Sequence, residues 1–166
     1  MVFGLFRKDD PSASWSEDTG GEVVLDLRAF TLNDVPFGVP CSALEPLGRP
    51  ANPRPFRDER FEYERTGVVI EAEDGKVSYF GIQLDDAPGS CQLIVVTPSG
   101  YRVTVNGGSD PLDLVAHLPL PDIADEDEQE RWIEFDLGQH KLELEAAPKG
   151  GALRRVNCFP KGPPGG

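Results

Sequence analysis

The sequence predicts an α+β fold made of two tandem β-β-α-β-β-β units, with antiparallel sheets that each carry a short helix on one face. Three observations predict it. First, a shift of 71 positions places Val23-Val24-Leu25 on Ile94-Val95-Val96, and Pro40, Leu47, Pro50, Glu59-Arg60 and Gly67 on Pro111, Leu118, Pro121, Glu130-Arg131 and Gly138. Second, short β-branched or alternating stretches recur at matching places in both halves. Third, 18 glycines and 16 prolines punctuate the chain, which favours many short strands over long helices.

Residues 1–21 are polar and mixed, and they read as a flexible leader in which Phe3, Leu5, Phe6 and Trp15 have no assigned docking place. The first unit is expected over 22–84. It opens with an apolar strand at 22–27, a turn, and a strand at 29–33 that alternates Phe30 and Leu32. Asn33-Asp34 is turn chemistry that tolerates positive φ. A short helix from Pro40 meets Pro46, which lacks the amide donor and kinks or ends it. A polar loop at 49–58 leads to strands at 60–65, 68–72 and 76–84, the last two joined by the hairpin signal Asp74-Gly75.

After a linker at 85–92, the second unit is expected over 93–159. Strands at 93–97 and 101–105 precede the turn Asn106-Gly107-Gly108. The helix that follows starts well: Asp110 can cap it, Pro111 suits its first position and Asp113 suits its dipole. Both helices are too short to stand alone and must lean on a sheet. A second polar loop at 121–129 leads to strands at 131–136, 141–146 and 152–159. Leu142 and Leu144 alternate with Lys141, Glu143 and Glu145, giving one buried and one wet face. Residues 160–166 read as a disordered tail.

The order of a short helix ending in Leu47-Gly48-Arg49-Pro50, an aromatic strand Phe61-Glu62-Tyr63, and the hairpin Gly67-Val68-Val69-Ile70 to Asp74-Gly75-Lys76-Val77 is a familiar one. It resembles the helix-on-antiparallel-sheet unit of β-lactamase inhibitor proteins and of outer-membrane assembly lipoproteins of the SmpA type. The pattern runs over about residues 40–84 and, more loosely, 111–159. The chain departs from it in lacking a secretion signal and a lipid-attachment cysteine, and in carrying extra strands ahead of each helix. The resemblance implies action by binding proteins.

Charge narrows the partners. Sixteen basic against 29 acidic residues give a net charge of −13, which repels phosphate backbones and anionic membranes and attracts basic protein surfaces. The start is apolar first and basic afterwards, the reverse of a secretory signal, and no run approaches the about 18 apolar residues of a spanning helix. A cytoplasmic protein is expected. Cys41, Cys91 and Cys158 are odd in number and lack metal spacing, so they read as small buried residues.

No sequence motif names a reaction, and no catalytic residue, metal or cofactor is expected. His117 and His140 lack a recognisable partner. Acid pairs such as Glu71/Glu73 and Asp85-Asp86 are commonplace in so acidic a chain. The densest cluster, Asp122, Asp125, Glu126, Asp127 and Glu128, is either a docking loop for a basic protein, a set of oxygen ligands, or a solvated loop. It has no glycine where a calcium loop places one. Phe61 and Trp132 are read as equivalent core fillers, with interface anchoring as the alternative. Phe56, Tyr63 and Tyr79 are expected to reach the surface and join the partner-binding set. The expected function is a non-enzymatic immunity or inhibitor-type protein that neutralises a basic partner such as a secreted toxin. The alternative is a structural or assembly-adaptor subunit.

Overall fold

A computed structural model describes residues 9–18, 20–85 and 92–162. The fold is α+β, with two antiparallel-dominated sheets and a few short helices. The smaller sheet holds β1 (Val23–Asp26), β2 (Thr31–Leu32), β3 (Val35–Pro36), β7 (Leu93–Val96) and β8 (Arg102–Val105), in the order β3-β2-β1-β7-β8. The larger holds β4 (Arg60–Tyr63), β5 (Val68–Glu73), β6 (Lys76–Gln83), β9 (Ile123–Glu126), β10 (Arg131–Asp136), β11 (His140–Ala146) and β12 (Leu153–Pro160), in the order β4-β5-β6-β12-β11-β10-β9.

Each sheet draws on both halves of the chain, so the boundaries expected at 84 and 93 do not separate two cores. The linker between them falls largely at 86–91, outside the described residues. In the larger sheet the halves meet antiparallel, Val156 opposite Ile82 and Cys158 opposite Phe80. In the smaller sheet they meet parallel, Leu25 beside Val95. Inward residues of both sheets form one core, including Leu25, Leu93, Val95, Phe61, Ile70, Phe80, Ile133, Phe135, Leu142 and Val156. Cys41 and Cys158 are buried in it with free thiols, and burial raises both.

Turn chemistry explains several joints. Asn33 and Asp34 both adopt positive φ, 45° and 67°, and close β2 on β3. Asp74 and Gly75 do the same between β5 and β6 at 52° and 75°. The second-half helix α2 (Pro111–Val115) has Asp110 accepting from the Leu112 amide at 2.9 Å. The first-half counterpart is instead a 3-10 helix, Cys41–Leu47, with Pro46 inside it. The tighter winding suits a short segment that cannot complete an α-helical ladder. The stretch at 49–58, expected as loop, contains the one-turn helix α1 (Pro55–Asp58).

The leader is not free over the residues described. Pro11–Ser14 forms a 3-10 turn, Trp15 is 6% exposed, and its ring meets Phe56 edge-on at 5.5 Å. The Arg49 amide donates to the Ser16 carbonyl at 2.7 Å, and the Phe56 amide to Asp10 Oδ2 at 3.3 Å. Trp15 thus supplies the apolar surface that its polar neighbours lack. At the other end Phe159 and Pro160 belong to β12, and the Lys161 amide donates to the Gln139 carbonyl at 2.8 Å. Among the described residues no helix is long and apolar enough to cross a membrane.

One aromatic stack ties the sheets together. His140, at the start of β11, stacks on Phe30 at 3.7 Å, and Phe37 stacks on both His140 and Phe80, at 5.4 and 4.2 Å. Burial holds the His140 imidazole below its ordinary pKa, and its Nδ1 has no hydrogen-bond partner. The unfolded chain therefore takes up this proton first as pH falls. The stability contributed by the neutral ring is whole above the ordinary histidine range and declines from about pH 7 downward. His140→Phe keeps the stack and cannot titrate, so its Tm is expected to fall less than that of the wild type between about pH 7 and pH 5. Identical slopes in a thermal melt would reject His140 as the source.

Candidate functional site: the outer face of the larger sheet

The pleat sends alternate residues of the larger sheet away from the core. Register orders them into rows. The central row crosses Ile123, Glu134, Glu143, Asn157, Gly81, Val69 and Glu62. On one side lie Asp125, Trp132, Glu145, Arg155 and Gln83. On the other lie Asp136, Lys141 and Phe159, then Tyr79, Glu71 and Arg60. Tyr79 and Phe159 stack at 6.1 Å, so the rows stay aligned across the β6–β12 junction. Most of these side chains are partly exposed.

The face is acidic, aromatic and partly self-paired. Arg60 reaches both Glu62 and Glu71, Lys141 reaches Glu134, and Arg155 Nη1 lies 3.5 Å from Glu145 Oε2. Burial, with Arg155 opposing, pushes the Tyr79 phenol up to about 12. Burial and then the neighbouring Glu134 charge raise the Glu143 carboxyl. Toward the β4 edge a recess of about 410 Å³ opens between Arg60, Glu62, Glu64, Val69 and Gln83.

The expected binding residues divide on this geometry. Tyr79 lies on the outer face, half-buried. Asp125 faces outward beside Trp132. The acidic run is not a loop: Ile123–Glu126 is the edge strand β9, all four of its residues exposed. Asp127 closes the hairpin by accepting from the Gln129 and Glu130 amides at 2.7 and 2.9 Å. Asp122 accepts from the Asp136 amide, and Asp125 Oδ1 accepts from the Glu126 amide at 2.8 Å. Glu126 and Glu128 stay exposed. A carboxylate-lined edge resists pairing with further strands, which is a structural use for these charges.

Tyr63 is inside, and Phe56 is only partly exposed. Tyr63 is 3% exposed because it shares the inner face with Phe61, and its hydroxyl has no partner. Burial pushes its phenol upward. Phe56 sits edge-on between Trp15 and Phe61, at 5.5 and 5.2 Å, and is partly covered by them. For Tyr63 the neighbouring charges Glu62 and Glu64 are the wrong guide, because on a strand adjacent residues point to opposite faces. Trp132 also lies elsewhere than its sequence pattern predicts. It is half-exposed on the outer face, not the core partner of Phe61.

Glu134, Asn157, Phe159 and Gly81 were not singled out from sequence. The wet face of Lys141, Glu143 and Glu145 was the available signal, and the β6–β12 pairing that sets it beside Tyr79 was not. His117 is exposed and stacks on Tyr101 at 4.6 Å. No ion pair joins either histidine to a carboxylate among the described residues. No cluster among them is arranged to hold a metal ion.

No family model matches the sequence, and no curated protein matches it. Among solved structures it is similar to a DUF4309 family protein, YjgB, from Bacillus subtilis. The identity is 15%, the coverage is 72% of this chain and 76% of that one, and the TM-score is 0.45.

Proposed function

We propose that this chain is a non-enzymatic protein-binding module of the immunity or inhibitor type, acting in the cytoplasm by covering a basic partner protein. The observation that carries this reading is the outer face of the larger sheet. It is acidic and aromatic, and most of its side chains are partly exposed. Trp132, Tyr79 and Phe159 offer amphipathic contact area, and carboxylates around them supply steering and register. The net charge of −13 favours a basic protein over nucleic acid or an anionic membrane.

The test is a pull-down and titration against the product of the neighbouring gene. Binding is expected at low salt and is expected to weaken by about tenfold or more between about 0.05 and 0.5 M salt. Absence of a complex at low salt would sink the reading. A second reading, an assembly-adaptor subunit, is favoured by exposed apolar side chains around α2: Tyr101 at 61%, Leu112 at 50% and Leu120 at 91%. A tight complex indifferent to salt would select it.

A further inference from the structure

We infer that two copies of this chain pair edge to edge along β8, antiparallel about a twofold axis at Val103, so that their smaller sheets become one. This goes beyond the protein-binding reading and does not rest on it. Of the edges of the two sheets, those at β3, β4 and β9 are closed to a further strand. β3 is two residues long and ends in Pro36, after which the Gly38 amide donates to the Val77 carbonyl at 2.8 Å. β4 is covered by the chain before it. The Ala51 amide donates to the Glu62 carbonyl at 2.7 Å, and the Asn52 side chain donates to the Arg60 carbonyl at 2.6 Å and accepts from the Glu62 amide at 3.0 Å. β9 is lined with carboxylates, and Asp125 Oδ1 holds the Glu126 amide.

β8 has none of these devices. From Tyr101 to Val105 there is no carboxylate and no proline. The Thr97 amide donates to the Tyr101 carbonyl at 2.8 Å, which sets the alternation of the ladder. Val103 and Val105 bond to β7, and Arg102 and Thr104 turn their amides and carbonyls outward. Nothing among the described residues hydrogen-bonds to those outward groups, and both side chains are exposed.

The edge is complementary to itself. With Val103 opposite Val103, Arg102 of each copy lies opposite Thr104 of the other, and each such pair exchanges both of its backbone hydrogen bonds. This register uses the outward groups of both residues and sets no like charges opposite each other. It also carries Tyr101 of one copy to Val105 of the other, the end from which the chain turns into α2. Tyr101 is 61% exposed and Leu112, in the first turn of α2, 50%. The pairing gives both apolar side chains cover. The net charge of −13 opposes it and the edge is short, so the dimer is weak and tightens as salt rises, the reverse of a complex with a basic partner.

Sedimentation equilibrium of the full chain is expected to show a reversible dimer with a dissociation constant on the order of 0.1–1 mM, tighter at about 0.5 M salt than at about 0.05 M. Thr104→Glu sets a carboxylate opposite Arg102 of the other copy and is expected to tighten the dimer about threefold to tenfold, while Thr104→Arg sets two cations opposite and is expected to weaken it as much. Repulsion by net charge alone orders these variants the other way, since Thr104→Glu makes the chain more acidic. In the ¹⁵N-labelled chain the amides of Arg102 and Thr104 are expected to shift with protein concentration. A monomer at about 1 mM in the higher salt, the reverse order of the two variants, or shifts confined to other residues would overturn the β8 dimer. Should the β8 amides of such a monomer shift with the neighbouring gene's product, the edge belongs to that partner instead. The protein-binding reading falls separately, on the absence of a partner complex at low salt.

Discussion

Phe61→Ala is expected to lower the unfolding free energy by about 3–5 kcal/mol, and Trp132→Ala, 71 positions later, by about 1 kcal/mol. Phe61 is fully buried and meets Phe56 edge-on at 5.2 Å, in a chain of rings that also holds Trp15. Removing it opens a cavity that a sheet on one side and the docked leader on the other cannot close. Trp132 lies between Asp125 and Glu145 on the outer face, where water replaces what is lost. Urea denaturation at an unchanged slope measures both. Equal losses would mean that the two residues share a face after all.

That contrast shows how far the repeat was legible. The elements were: nine of the expected strands form close to where alternation and turn residues placed them, and Asp110 caps its helix. Equivalence residue by residue was not. Judged by burial, Leu44 corresponds to Leu114, 70 residues on, and Phe61 to Ile133, 72 on. Val68 corresponds to Leu142, 74 on, and Phe80 to Val156, 76 on. The drift grows in steps of two because each hairpin of the second half has gained two residues, Tyr63–Val68 against Phe135–Leu142, for example. Two is the period of a strand, so the steps leave the buried face buried. A gapless shift of 71 is odd against this series and exchanges the faces. That exchange is why Trp132 was paired with Phe61.

The candidate site was legible in its parts and not in its assembly. Glu143 and Tyr79 each announced a partly wet strand position. What joins them is the pairing of β6 with β12, a contact between the ends of the two halves that no local pattern encodes. The acidic run misled in the opposite sense. Its β-propensity is poor, yet tertiary pairing with β10 holds Ile123–Glu126 as a strand. Exposure on an edge costs these carboxylates little, so their charge alone says nothing about whether they touch a partner.

Gly48→Ala is expected to cost about 1–3 kcal/mol and to free the leader. Gly48 ends the 3-10 helix at φ 91°, ψ −175°, a region essentially closed to residues with a side chain. A Cβ there would stand 2.9 Å from the Asp18 Cα and 3.0 Å from its amide nitrogen, both backbone atoms that no rotamer change can move. The leader runs alongside at this point: Glu17 bridges Arg49, the Arg49 amide donates to the Ser16 carbonyl, and Arg49 Nη2 donates to the Trp15 carbonyl at 3.2 Å. The cheapest response is to lift residues 15–18, which strips Trp15 from Phe56. In a Trp132→Phe background, Trp15 fluorescence is expected to shift to the red, and proteases are expected to cut the leader before the sheets unfold. An unshifted spectrum would mean that the leader accommodates the methyl group. A single global transition with no early cleavage would mean that the leader and the sheets unfold as one unit.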